Sequence, residues 1–158
     1  MDPERRRFIE ETLRLAEANV SEGRGGPFGA IVVKGGEIIA RGTNLVTATG
    51  DPTAHAEVVA IREACRVLGT FQLAGCDVYA SCEPCPMCLG AVYWARPDRL
   101  FFAGTRADAA AAGFDDSLIY DEIPLPPAAR SLPTEQVTHA DRLRPFAAWN
   151  ARADRVDY

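Results

Sequence analysis

His55 and Glu57 stand two residues apart in "AHAEVVAI", and Cys85 and Cys88 stand three apart in "SCEPCPMC". Cysteines at i and i+3 project from one side of a helix's first turn, and a helix N-terminus favours their thiolate form. An imidazole from the first turn of a second helix completes three ligands for a tetrahedral zinc, with the fourth position left open as a catalytic site requires. Zinc brings the pKa of a water in that position to about 7, so hydroxide becomes available at neutral pH. Glu57 sits where it can carry protons to and from that water, and it reads as a proton carrier rather than a ligand.

A second arrangement of the same residues stands beside this one. Cys82 extends the cluster to C-x-x-C-x-x-C, and three cysteines with His55 would close a purely structural zinc site. That arrangement gives Glu57 no task. Cys82 also ends an expected buried strand, where a thiol packs as a small apolar group. Cys65 and Cys76 lie away from both motif halves and read as core residues. His139 has no motif around it and reads as structural.

The elements that must position these groups follow from capping residues and periodicity. Asp2 and Pro3 form a helix start, and Ile9, Leu13, Ala16 and Val20 then recur at helical spacing. "GRGGPFG" ends that helix. "FGAIVVK" and "EIIARGTN", joined by Gly35 and Gly36, predict a hairpin with a two-residue turn. The helix with His55 and Glu57 at its start is expected to run to about Leu68. "DVYAS" predicts a buried strand, "PMCLGAVYWA" a short helix opening on proline, "RLFFAG" another strand and "RADAAAA" a helix. A proline-rich stretch at 123–133 leads to "EQVTH", read as a last strand, and to a helix around Leu143–Ala153. Strands alternating with helices after a hairpin imply an α/β fold, a mixed sheet sandwiched between helices.

Composition narrows the class. The chain has 158 residues, 47% of them apolar and 25% charged, which suits one globular domain. No apolar run of about 18 residues is present, and the N-terminus lacks the pattern of a signal peptide, so no membrane partner is expected. Five cysteines, four of them within residues 76–88, argue against a disulfide framework and for a reducing, cytoplasmic compartment. The net charge of −5 disfavours a nucleic-acid partner. "RRR" at 5–7 is flanked by Glu4, Glu10 and Glu11 and reads as a solvated helix face.

H-A-E at 55–57 followed by P-C-P-M-C at 84–88 resembles the signature of the zinc-dependent nucleobase deaminases of the cytidine deaminase-like superfamily. Further stretches, "GGPFGAIVVK", "DPTAHAEVVAIR", "SCEPCPMCLGAVYWARP" and "AGFDDSLIY", with a C-terminal tyrosine, are similar to the bacterial guanine deaminases. The resemblance implies a three-layer α-β-α sandwich on a mixed five-stranded sheet, one Zn2+ per subunit and hydrolysis of guanine to xanthine and ammonia. Glu57 would protonate a ring nitrogen and later the departing ammonia. "GFDDS" carries two acids where the related tRNA adenosine deaminases have small neutral residues, and a carboxylate can accept from guanine's N–H edge. By the same resemblance Asp116 binds the base, Asn44 makes a second polar contact, Phe28 and Trp94 wall the ring, and Tyr158 closes over it. A homodimer is implied, with the C-terminal segment, about 134–158, swapped so that Tyr158 serves the partner. Guanosine, cytosine or an aminotriazine remain alternative substrates, as does tRNA adenosine at a further remove.

Overall fold

A computed structural model describes residues 2–158 of the chain. These form two compact units, one ending at Asp116 and the other running over Ser117–Tyr158. In the first unit α1 (Pro3–Ser21) is followed by the hairpin β1 (Gly29–Lys34) and β2 (Glu37–Thr43), then α2 (Val46–Thr49) and α3 (Ala56–Leu68). Next come β3 (Cys76–Cys82), α4 (Pro86–Ala95), β4 (Arg99–Gly104) and α5 (Arg106–Ala111). The second unit holds α6 (Ser117–Glu122), a 3-10 turn at Pro127–Ala129, and α7 (Arg144–Ala151).

The strand order is β2-β1-β3-β4. β1 pairs antiparallel with both β2 and β3, while β3 and β4 run parallel. Gly35 and Gly36 both have positive φ, 57° and 81°, the conformation of the tight turn that matches strand twist. β1 is buried on both faces, and its side chains divide by period two. Ile31 and Val33 join Phe8 of α1 and Tyr79 of β3 in one cluster; Ala30 and Val32 join Ala56, Ala60 and Ala64 of α3 in the other. α1 therefore covers one face of the sheet and α3 the opposite one, which makes the expected three layers.

The sheet has four strands rather than the expected five. Residues 135–139 form no strand. Val137 is the only apolar residue of "EQVTH" and is 82% exposed, so the segment has no alternating face to bury against a sheet. The short helices α2 and α6 carry no periodic pattern that a sequence reading would detect. Among the described residues no helix is long and apolar enough to cross a membrane.

Two close approaches fix the layers. A Cβ at Gly29 would lie 2.5 Å from the Thr12 carbonyl oxygen, and one at Gly42 would lie 2.2 Å from the Ala56 carbonyl oxygen. Only glycine at 42 lets the first turn of α3 rest directly on β2, and that turn carries the candidate chemistry.

Candidate active site and metal centre

His55 is the N-cap of α3 and Cys85 the N-cap of α4, with Pro86 filling the first helical position. Neither side chain makes the cap bond that Ser, Thr, Asp or Asn would supply at that position, although Cys88 of the same helix stabilises the Cys85 sulfur. His55 and Cys85 turn toward each other instead. Nδ1 of His55 lies 3.6 Å from Sγ of Cys85 and 3.5 Å from Sγ of Cys88, and the three ligand atoms all fall within 4.8 Å of one another. In a zinc tetrahedron with ordinary bond lengths, the nitrogen-to-sulfur edge is about 3.6 Å. The donor set and its spacing therefore fit zinc.

The side chains are electrostatically coupled even before an ion is considered. The Cys88 thiol and the His55 imidazole hold the Cys85 thiol down to about 4. Cys88 is pushed upward, first by Cys85 and then by burial, so the pair shares one proton. The Cys85 hydrogen bond raises His55 against the effect of burial. A bound dication would drive both thiols to thiolates and the imidazole to neutral. Glu57 is buried in the first turn of α3, and burial raises its pKa, opposed by hydrogen bonds from its own backbone N–H and from Cys88. A carboxyl raised above its ordinary range is better suited to act as an acid as well as a base.

Cys82 is not in the ligand cluster. Its thiol donates to the Thr105 carbonyl at 3.4 Å, and burial keeps it protonated by raising its pKa. Cys76 is buried in the sheet and Cys65 is half-buried. His139, in the second unit, is exposed, and its Nδ1 accepts from the Asp141 N–H at 3.1 Å in a local turn.

Phe28 and Asn44 sit at the ends of adjoining strands, and the Asn44 N–H donates to the Phe28 carbonyl at 3.1 Å. Asn44 is buried; its Oδ1 accepts from the Val46 N–H at 3.3 Å. The Phe28 ring meets Phe114 edge-on, with centroids 4.9 Å apart. Phe114 lies inside "GFDDS", immediately before its two acids. Asp116 is half-buried; burial, followed by the charge of Cys85, raises its pKa, which places this loop within the electrostatic reach of the metal ligands. Trp94, on α4, is 65% exposed. Tyr158, in the second unit, is 70% exposed with its ring against Trp149. The fold thus gathers His55, Glu57, Cys85 and Cys88 most tightly, with Asp116 in the field of Cys85.

Comparison with known proteins agrees with this geometry. Residues 3–104 match the family described as the cytidine and deoxycytidylate deaminase zinc-binding region. The chain is 56% identical to guanine deaminase of Bacillus subtilis over 151 residues, 96% of this chain and 97% of that one. A crystal structure of guanine deaminase from the same organism superposes with a TM-score of 0.96 at 54% identity, covering 100% of this chain and 99% of the other. A tRNA-specific adenosine deaminase of Aquifex aeolicus is 46% identical over 96 residues, which is 61% of this chain and 63% of that one. His55, Glu57 and the Cys85–Cys88 pair all fall inside the matched zinc-binding region, and the chain belongs to the zinc-dependent cytidine and deoxycytidylate deaminase family.

Proposed function

We propose that this protein hydrolyses guanine to xanthine and ammonia. The observation that carries the reading is similarity along the whole chain to a guanine deaminase, at 56% identity over 96% of its length. Similarity to the tRNA adenosine deaminase covers 61%.

Zinc, when bound by His55, Cys85 and Cys88, supplies hydroxide at neutral pH. The residues of the chain do the rest. Glu57 takes a proton from the attacking water and passes it to a ring nitrogen of the base. The carbon–oxygen bond forms at the amino-bearing carbon; Glu57 then takes the remaining proton from the added hydroxyl and hands it to the amino nitrogen as the carbon–nitrogen bond breaks, a carbonyl is left and ammonia departs. Asp116 accepts from the N–H edge of guanine, and a base lacking those donors would leave that carboxylate unpaired. Asn44, with Oδ1 committed to Val46, offers its Nδ2 hydrogens to a purine acceptor. Phe28 and Trp94 wall the ring.

The same reading includes one catalytic domain spanning the chain, a cytoplasmic location and a homodimer. α4 is apolar nearly all round, and its Tyr93 and Trp94 are exposed, as expected of a helix covered by a second copy. The C-terminal segment, about 134–158, would swap so that Tyr158 closes the partner's site. An acidic net charge of −5 favours a small base over RNA.

The test is ultraviolet monitoring of guanine by protein of measured zinc content, with guanosine, cytosine, an aminotriazine and tRNA in parallel. Guanine turned over at least about a hundredfold faster than the others supports the reading. A background rate on guanine with robust turnover of another substrate would replace it.

A further inference from the structure

Asn19, on the last turn of α1, is 2% exposed and has none of the roles assigned so far. Its Nδ2 donates twice, to the Gly26 carbonyl at 2.9 Å and to the Asn44 carbonyl at 2.8 Å. Its own carbonyl accepts from the Arg24 N–H at 3.0 Å. Its Oδ1 is the one buried side-chain polar atom without a hydrogen-bond partner among the described residues. A carboxamide buried for packing alone would gain by satisfying both ends; here both hydrogens of one nitrogen are committed and the oxygen is left unpaired.

The two carbonyls belong to the two segments that carry Phe28 and Asn44. The Phe28 N–H donates to the Gly26 carbonyl at 2.8 Å, and the Asn44 N–H donates to the Phe28 carbonyl at 3.1 Å. Gly26, Phe28, Asn44 and Asn19 therefore form a closed hydrogen-bonded circuit. Gly25 lies beneath it with no room for a side chain, since a Cβ there would sit 2.3 Å from the Asn44 carbonyl oxygen and 3.2 Å from Nδ2 of Asn19. The backbone at Asn44 is held from above and below.

We propose that Asn19 is a positioning residue: by pinning the Gly26 and Asn44 carbonyls it sets the Phe28 ring and the Asn44 carboxamide in the geometry that grips the base. It touches no substrate and acts through its two partners. This inference rests on the guanine reading for the identity of the base, and on the hydrogen-bonded circuit for everything else. Binding contacts are sensitive to displacements of about 1 Å, and loss of the pin frees both segments at once.

The experiment uses full-length, zinc-loaded protein carrying Asn19→Leu, Asn44→Ala or both, with Asn19→Ser as a milder change that keeps one donor. Asn19→Leu is expected to raise KM for guanine about tenfold or more while kcat stays within about threefold and zinc content is unchanged. The double variant should lose less than the product of the two single losses, because part of the effect of Asn19 passes through Asn44. Amide hydrogen exchange should speed up about tenfold or more at Gly26, Phe28 and residues 44–46, with α3 and β3 unaffected. Unchanged exchange at those amides would overturn the proposal. So would wild-type KM with only a lower melting temperature, or losses that simply multiply in the double variant. If Asn19→Leu does not fold, Asn19→Ser carries the same readings at smaller size. If the wild type turns over no guanine, the guanine reading fails, and the exchange measurement alone decides for or against Asn19 as the pin.

Discussion

Among the described helices, α1 and α5 are capped by their own side chains, whereas the two metal-facing helices, α3 and α4, are not. At α1, Asp2 accepts from the Glu4 N–H at 3.1 Å. At α5, Thr105 and Asp108 form a reciprocal capping box. α3 and α4 instead begin at His55 and Cys85, whose side chains leave their helices and meet across 3.6 Å. A capping side chain is worth about 1 kcal/mol, and both metal-facing helices forgo it. Their starts are held from outside, α3 by its seat on Gly42 and α4 by the backbone preset of Pro86. Local stability and ligand placement compete for the same position, and here the ligand takes it.

The largest effect that would sharpen this contrast comes from Glu57→Gln, which leaves all three ligands in place. Zinc content should stay at the wild-type value while kcat falls by at least ~10²–10⁴, the usual loss of a general acid–base. Wild-type turnover in that variant would remove Glu57 from the proton path. By contrast, Cys82→Ser should retain both zinc and activity, since its thiol faces the Thr105 carbonyl.

Gly42→Ala attacks the external support of α3. A methyl group driven into the Ala56 carbonyl should destabilise the fold by about 1–3 kcal/mol and weaken zinc retention, measured by denaturant melts and metal analysis. Asp2→Ala and Thr105→Ala attack the self-capped helices. Each should cost about 1 kcal/mol with no change in metal content, and loss of zinc in either would dissolve the distinction between the two kinds of helix start.

A pH experiment tests the ligands themselves. In protein stripped of zinc, Cys85 titrates at about 4, so its labelling by a thiol reagent should be nearly flat between about pH 6 and 8. An ordinary thiol would speed up about tenfold per unit over that range. Zinc should protect Cys85 from the reagent. A steep rate profile in the stripped protein would show that His55 and Cys88 do not stabilise the thiolate.

The smallest effect lies far from the site. Arg14 and Arg41 hold the Glu11 carboxyl down to about 2. A depressed carboxylate stabilises the fold above its unfolded pKa and loses that contribution as pH falls through the folded value. Glu11→Gln should therefore cost about 0.5 kcal/mol at pH 7, discounted for the exposed arginines, and nothing near about pH 2.

Periodicity revealed most of the first unit. α1, the hairpin, α3, β3, α4 and β4 each carry a long apolar pattern or a strong punctuation, such as Asp2-Pro3, Gly35-Gly36 and Pro86. "EQVTH" misled because β-branched residues alone do not make a strand; Val137 has no buried face to join. In the site, His55, Glu57, Cys85 and Cys88 were legible because metal ligation restricts residue type and spacing together. Phe114 was hidden in a loop, where an aromatic has no periodicity to announce it. Asn19 was invisible for a related reason: on a helix it looks like any polar residue, and its partners are backbone atoms that have no sequence identity.

What the sequence determined by itself was the kind of chemistry, since only a few residue types can bind zinc and move a proton, and their spacing within each helix start is local. What the tertiary structure decided was that the two helix starts meet. His55 and Cys85 are thirty residues apart in the chain, and no local rule brings them within reach. The sheet does so, by seating α3 on β2 through Gly42 and leading β3 into α4, so that two uncapped N-termini converge on one point.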